Sequence, residues 1–346
     1  MCESFTFIII FFYMHINFNL AKKIISWYDN NRRNLPWRVS NKSPNKLYYR
    51  LLSEFMLQQT QVKTVIPFFK KFIKKFKSLK SLSKSNEGDI LKLWEGLGYY
   101  RRARNLLKTS KILVNNFNLK LPTSKDEIIK LPGIGDYTAN ALLALVYNQP
   151  VIAVDGNVKR VFSRIVNKEA DKIKFEKFIK INNKKILHPH RNSDLAEALM
   201  EFGALICKPK DPNCHICLLN KNCKYFKSKY KIKTSKKKII KNKSYDIFCY
   251  INKEKQIALT SKNQISFLRN FNLPKITRTS NLSNNKDWKF LKNYKNSISN
   301  LKLNINLYYK FSDKIPPTYS WYSLYENKEF IPSFTKKILR QVSTLF

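Results

Sequence analysis

The segment Leu131-Pro132-Gly133-Ile134-Gly135-Asp136-Tyr137-Thr138-Ala139-Asn140-Ala141 constrains this chain more than any other. Residues 125–130 read as a helix stopped by Leu-Pro-Gly, and a second helix begins after Gly135. Two glycines give a turn bare enough to come close to another surface. The new helix points free backbone N–H groups and the positive end of its dipole at that surface, which makes a phosphate site from main chain alone. A lone Gly-x-Gly would say little. Set between two helices, with Pro132 before it and Thr138-Ala139-x-Ala141 after it, it reads as a helix–hairpin–helix of the kind that meets a DNA backbone. Gly133 and Gly135 are its contact positions.

The charge points the same way. The chain of 346 residues, long enough for two domains, carries 66 Lys and Arg against 23 Asp and Glu, a net charge of +43. That excess argues against an ordinary enzyme of small anions and suits a polyanionic partner. A hydrophobic fraction of 43 %, with 14 % aromatic residues, excludes a disordered basic tail. An abundance of Lys, Asn, Ile, Phe and Tyr with only 7 Gly is also what an A+T-rich coding sequence produces, so the charge is weighed with the motifs and not alone. No segment reaches the ~20 apolar residues that span a bilayer. The apolar run from Phe5 to Met14 has no Lys or Arg ahead of it and no small-residue site behind it, unlike a signal peptide. Residues 1–13 are expected to be an upstream extension before a start at Met14, and the chain is expected to be intracellular.

Helical periodicity dominates from Leu20 to Leu119. Leu47, Leu51 and Phe55 recur on one face, and Phe68, Phe72, Ile73 and Phe76 repeat the pattern with Lys70, Lys71, Lys74 and Lys75 on a solvated side. Leu91 to Leu93, and Leu106 and Leu107 with Ile112 and Leu113, suggest further short helices. From Lys224 to Lys243 there are ten Lys, no acid and no apolar period, which reads as a linker. Beyond it, Tyr245–Ile251 and Gln256–Thr260 read as strands around a turn at 252–254. Leu301, Leu303, Ile305 and Leu307 alternate as a strand does, and residues 334–342 suggest a terminal helix. The expected fold is therefore mainly α, followed by a smaller α+β domain.

Four of the six cysteines lie within 17 residues, as Cys207-x6-Cys214-x2-Cys217-x5-Cys223. In a reducing compartment such a group is a metal site in preference to disulfides, holding zinc or an iron–sulfur cluster. Only the middle pair has the short spacing of a zinc knuckle. The wider flanking gaps suit a cubane cluster wrapped by a loop that follows a helix.

These motifs, in this order, resemble the helix–hairpin–helix DNA glycosylases that carry a [4Fe-4S] cluster. The strings Leu35-Pro36-Trp37-Arg38, Ser53-Glu54-Phe55-Met56-Leu57-Gln58-Gln59-Thr60-Gln61-Val62, Gly96-Leu97-Gly98-Tyr99-Tyr100 and Val154-Asp155-Gly156-Asn157-Val158-Lys159-Arg160-Val161 are similar to those of its adenine glycosylase branch (MutY type). The resemblance covers residues 20–226. Tyr137 stands where the endonuclease III branch has a Lys. The resemblance implies a cluster lobe from residues 14–40 and 149–226, a six-helix lobe from 41–148 holding the hairpin, a Lys-rich linker at 227–243, and a degenerate Nudix-like domain at 244–346. It implies removal of adenine mispaired with guanine or 8-oxoguanine in double-stranded DNA, by base flipping. A cytoplasmic, nucleoid-associated monomer of bacterial type, with no membrane partner, goes with it.

Breaking an N-glycosidic bond calls for an acid at the leaving base and a carboxylate near the sugar cation. Glu54 lies on the helix face of Leu47 and Leu51, where apolar surroundings raise a carboxyl pKa, and the resemblance makes it the acid. Asp155 would cap the helix that follows it, and the resemblance makes it the stabiliser of the sugar cation, oriented and assisted by Asn157 and Tyr137. A Lys at 137 would form a Schiff base and cut the strand; Tyr137 implies a monofunctional glycosylase. Gln59 and Tyr99 match residues that fill or prop the gap left by the flipped base, with Thr60 and Leu97 on the same surface. Tyr100 is assigned to packing and Lys159 to a phosphate contact. Cys207, Cys214, Cys217 and Cys223 are the implied cluster ligands. The family's Phe-Ser-His recognition loop corresponds to Ile298-Ser299-Asn300, so Ser299 alone is kept and weaker lesion discrimination is expected. A non-catalytic damage-binding protein and a bifunctional thymine-glycol glycosylase/lyase are the rival readings. Glu54 with Asp155 argues against the first, and Tyr137 and the long C-terminal extension against the second.

Overall fold

The computed structural model describes residues 15–228, 241–263, 265, 268–269, 271–279, 287–298, 301–323 and 330–346. The chain divides into two compact units, Met1–Thr234 and Ser235–Phe346.

The first unit is helical, and no strand occurs among its described residues. Its helices run α1 (Leu20–Asn31), α2 (Lys46–Leu57), α3 (Val62–Lys75), α4 (Leu79–Ser83), α5 (Glu87–Trp94), α6 (Arg101–Phe117), α7 (Lys125–Ile128), α8 (Asp136–Tyr147), α9 (Gly156–Val166), α10 (Phe175–Ile181), α11 (Asn183–Ile186), α12 (Asn192–Leu205) and α13 (Lys224–Ser228). Seven helical segments, not six, lie between residues 41 and 148. The lysines at 70, 71, 74 and 75 are exposed, while Val65, Phe69 and Phe72 of the same helix are buried, as an amphipathic pattern demands.

One expectation is corrected here. Residues 106–113 do not split into short helices but belong to the 17-residue α6. The polar pair Thr109 and Ser110 that breaks the apolar pattern is fully buried. Ser110 Oγ donates to the Leu107 carbonyl at 2.7 Å, and Thr109 Oγ1 donates to the Pro132 carbonyl at 2.9 Å. Hydroxyls satisfied in this way can sit in a core helix.

A single apolar core joins the beginning of the chain to its middle. Ile16, Leu20, Ile24 and Tyr28 pack with Val158, Phe162, Phe178, Leu195, Leu199, Phe202 and Leu219. Helix α12 runs close to α9 because residue 203 is glycine: a Cβ there would stand 2.6 Å from the Asn157 Cβ.

The second unit is a mixed sheet with a helix. Its strands are β1 (Lys241–Ile251), β2 (Ile257–Leu259), β3 (Lys275–Arg278), β4 (Lys289–Ile298), β5 (Leu301–Phe311) and β6 (Ser320–Tyr322), followed by α14 (Ser333–Val342). The order is β4-β5-β1-β2-β6, with β3 also on β1. The central β1 and β5 are parallel, from Lys241 opposite Leu301 to Ile251 opposite Phe311. Leu303, Ile305 and Leu307 are buried as the alternation requires. The stretch 227–243 is not all linker, because α13 takes up Lys227 and Ser228, and β1 takes up 241–243. Residues 229–240, the extension at 1–13, and Ser299 and Asn300 lie outside the described residues.

Candidate active site

The hairpin is built as its sequence requires. Gly133 has φ +81°, and a Cβ there would come within 2.8 Å of Asn105 and 2.9 Å of Phe55, so no other residue fits. The turn is pinned from below by Thr109 on the Pro132 carbonyl and by Gln58 Nε2, which donates to the Gly133 carbonyl at 3.3 Å. Gly135 is the N-cap of α8, contributes no side-chain cap, and has open space where a Cβ would lie. The first N–H groups of α8 are thus left to a ligand or to water. Asp136 lies exposed beside them, paired with Lys125 at 2.7 Å.

Tyr137, one residue further along α8, turns inward. Its hydroxyl hydrogen-bonds the carboxyl of Glu54 and lies 3.7 Å from Met200 Sδ. Glu54, in the last turn of α2, is 5 % exposed. Burial pushes its carboxyl up to about 7, and the charge of Asp155 adds to this, while the Tyr137 hydrogen bond and the charge of Arg50 oppose it. The Tyr137 phenol is raised well above its ordinary value by burial and by the Glu54 and Asp155 charges, so it stays a neutral donor.

Asp155 caps α9, accepting from the Val158 N–H at 2.7 Å and from Asn157 Nδ2 at 2.8 Å. Burial raises its carboxyl, and those two donors hold it back. Asn157 is held in turn. Its Oδ1 accepts from Arg160 Nη2 at 2.8 Å, and the same guanidinium donates to the Gly203 carbonyl at 2.7 Å and, through Nε, to the Cys207 carbonyl at 2.7 Å. A chain of hydrogen bonds therefore runs from Asp155 to the cysteine loop.

The four cysteines line one cavity together with Arg164, Asn213, Asn220 and Tyr225. Arg164 Nη1 lies 3.3 Å from Cys207 Sγ and 2.7 Å from the Lys208 carbonyl, and Cys223 Sγ donates to the Arg164 carbonyl at 3.2 Å. Among the described residues no three His, Cys, Asp or Glu side chains form a site for a single metal ion.

The remaining expected residues fall in different places. Gln59 and Tyr99 are exposed, and both hold left-handed backbone, φ +57° and +47°, which is uncommon without glycine. Thr60 is partly buried, Leu97 and Tyr100 are buried, and Lys159 is exposed beside the Phe175 ring. Sequence reasoning did not single out Arg102, Arg160 and Arg164, or an acid network under α1. There Glu197 bonds Tyr28 and Arg50, and Glu201 bonds Arg33 at 2.7 Å and Arg38 at 3.0 Å. The partners stand more than 140 residues apart, and only their types as charges inside apolar helices hinted at them.

The signature of the HhH-GPD superfamily base excision DNA repair proteins matches residues 52–184. An adenine DNA glycosylase from Buchnera aphidicola subsp. Baizongia pistaciae is 39 % identical over 84 % of this chain and 86 % of its own length. One from Buchnera aphidicola subsp. Schizaphis graminum is 42 % identical over 65 % of this chain and 66 % of its own length. This chain belongs to the adenine DNA glycosylase family. It is accordingly an enzyme of base excision repair, a hydrolase of N-glycosyl bonds. Among solved structures, a thermostable thymine-DNA glycosylase superposes on 60 % of this chain and 95 % of its own, with a TM-score of 0.53 and 25 % identity. These likenesses bear out the helical glycosylase fold read from the hairpin.

Glu54 leaves a mark on the stability of the glycosylase. A carboxyl raised in the folded state contributes its full stability below its unfolded pKa and loses it as pH rises through the folded value. Glu54→Gln is expected to be more stable than the natural enzyme at pH 8 by about 3 kcal/mol, a gap that opens between 4.5 and about 7. Denaturant unfolding at both ends of that window measures it, and a pH-independent gap contradicts the assignment.

Proposed function

We propose that this glycosylase removes adenine mispaired with guanine or 8-oxoguanine from duplex DNA and stops at the abasic site. The observation that carries the reading is Glu54, buried with a carboxyl poised near neutrality and touched by Tyr137 of the hairpin helix. The bare turn at Gly133 and Gly135 meets the DNA backbone, with exposed Lys159 as a further phosphate contact. Gln59 and Tyr99 enter the stack as the adenine leaves it, with Thr60 beside them. Leu97 contributes through its backbone, since its side chain is buried.

Arg50 and Glu197, whose charges act on Glu54, also line a polar cavity with Tyr28, Arg33 and Arg38. Glu54 gives its proton to a ring nitrogen of the flipped adenine, so the glycosidic electron pair leaves on a neutral adenine. Asp155, fixed by Val158 and Asn157, faces the positive charge that forms on the sugar. Water then adds to the sugar carbon and gives its proton to the Glu54 carboxylate, which restores the acid. Tyr137 holds Glu54 and has no amine with which to trap the sugar, so strand cleavage does not follow.

The cysteine loop fits a [4Fe-4S] cluster. Four cysteines surround one cavity, with an arginine directed at the Cys207 sulfur. Cys207, Cys214, Cys217 and Cys223 would be its ligands, and a bound cluster would cross-link the loop between α12 and α13. The C-terminal unit, Nudix-like by resemblance, reads the base opposite adenine, and Ser299 is the residue kept for it. The enzyme acts as a cytoplasmic monomer.

Single-turnover assays on duplexes with adenine opposite 8-oxoguanine, guanine and thymine test the reading. Release from the first two and none from the third is expected, with a preference for 8-oxoguanine lowered roughly tenfold by the lost His and Phe contacts. Release at equal rates from all three would defeat it. The purified protein should also be brown, with about four iron atoms per chain. Zinc in equal amount to protein, with no visible absorbance, would defeat the cluster assignment.

A further inference from the structure

Arg102, in the first turn of α6, is 8 % exposed and faces six oxygen atoms. Its Nη1 meets the carbonyls of Phe55 (3.3 Å), Met56 (2.8 Å) and Gln58, and Thr60 Oγ1 (3.1 Å). Its Nη2 meets the carbonyls of Leu97 (3.0 Å) and Gly98 (3.2 Å). One arm of the guanidinium thus binds the segment that carries Gln59, and the other binds the segment that carries Tyr99. The Tyr99 ring centroid also stands 5.6 Å from the guanidinium carbon.

No carboxylate pairs with Arg102 among the described residues, and its Nε has no partner. Burial lowers its pKa to about 10. A buried cation without a counter-ion is costly, and here oxygen dipoles from two loops, with the Trp94 and Tyr99 rings, compensate it. The same loops hold Gln59 and Tyr99 in left-handed backbone, a conformation that persists only where surroundings over-determine it.

We propose that Arg102 is the positioning residue that locks the Gln59 and Tyr99 loops in the form that enters the DNA stack. This rests on the reading of the chain as a glycosylase that flips adenine from a duplex. Only a planar fork can hold both loops at once; a lysine ammonium is a single point of charge. The Asp155 site lies elsewhere, whereas Glu54 directly precedes the two residues of its helix whose carbonyls Arg102 binds, so an effect passed through the acid would slow both substrates alike.

The test compares full-length natural enzyme with Arg102→Lys and Thr60→Val on two substrates. One is a duplex with adenine opposite 8-oxoguanine. The other carries adenine in a bulge, already unpaired and needing no wedge. Arg102→Lys should lower the single-turnover rate on the paired substrate on the order of 10²-fold, as misplacement of a positioning group does, and lower the bulge rate far less. Thr60→Val, which removes one of the six oxygens around Arg102, should show the same asymmetry at a severalfold level. Equal losses on both substrates, in either folded variant, would overturn the proposal and make Arg102 merely structural. Natural enzyme that releases adenine from neither substrate would overturn the glycosylase reading and this inference with it.

Discussion

Burial of the Glu54 and Asp155 carboxyls around the neutral Tyr137 phenol is the constraint on which the rest of the site depends. The Asp155 charge raises the Glu54 carboxyl, both carboxylates raise the Tyr137 phenol, and the phenol's hydrogen bond holds Glu54 back. Such an arrangement is stable only when every member is delivered by a fixed element. Glu54 comes from the last turn of α2, Tyr137 from the first turn of α8, and Asp155 from the cap of α9. The glycine turn at 133 sets where α8 begins, and Gly203 sets how closely α12 approaches Asn157. The glycine hairpin and the phenol that faces Glu54 are therefore neighbours on one helix.

The charge of +43 has two uses that the sequence alone merges. Many lysines are solvated, such as those on α3, and contribute to a general attraction for polyanions. Several arginines point inward instead. Arg102, Arg160 and Arg164 satisfy carbonyls that loops cannot satisfy among themselves, and Arg33, Arg38 and Arg50 neutralise two buried glutamates. Arginine suits this work because its fork binds several oxygens at fixed angles.

What could be read from the sequence was local. The hairpin, the Asp155 cap and the buried face of α2 each depend on residues within a turn or two, so spacing revealed them. The strand at 301–307 was legible by alternation and that at 245–251 as a run of strand-forming residues ahead of a turn, but their parallel pairing was not, because nothing local fixes register across some fifty residues. The continuity of α6 was hidden by Thr109 and Ser110, whose hydroxyls are satisfied by Pro132 and Leu107. The Arg102 clamp and the Glu197 network were hidden for the same reason: their partners meet only in three dimensions.

The central claim is that one proton on Glu54 gates adenine release. The pH dependence of the single-turnover rate tests it most directly, taken from about pH 6 to about pH 9 with enzyme in excess. The account predicts a rate that is level at the acid end and falls about tenfold per pH unit above about 7, the value to which burial pushes Glu54. Glu54→Gln should bind the same duplex and show no such limb, because it releases no adenine at any pH. A rate that stays flat across the range, or a Glu54→Gln enzyme that turns over normally, would contradict it.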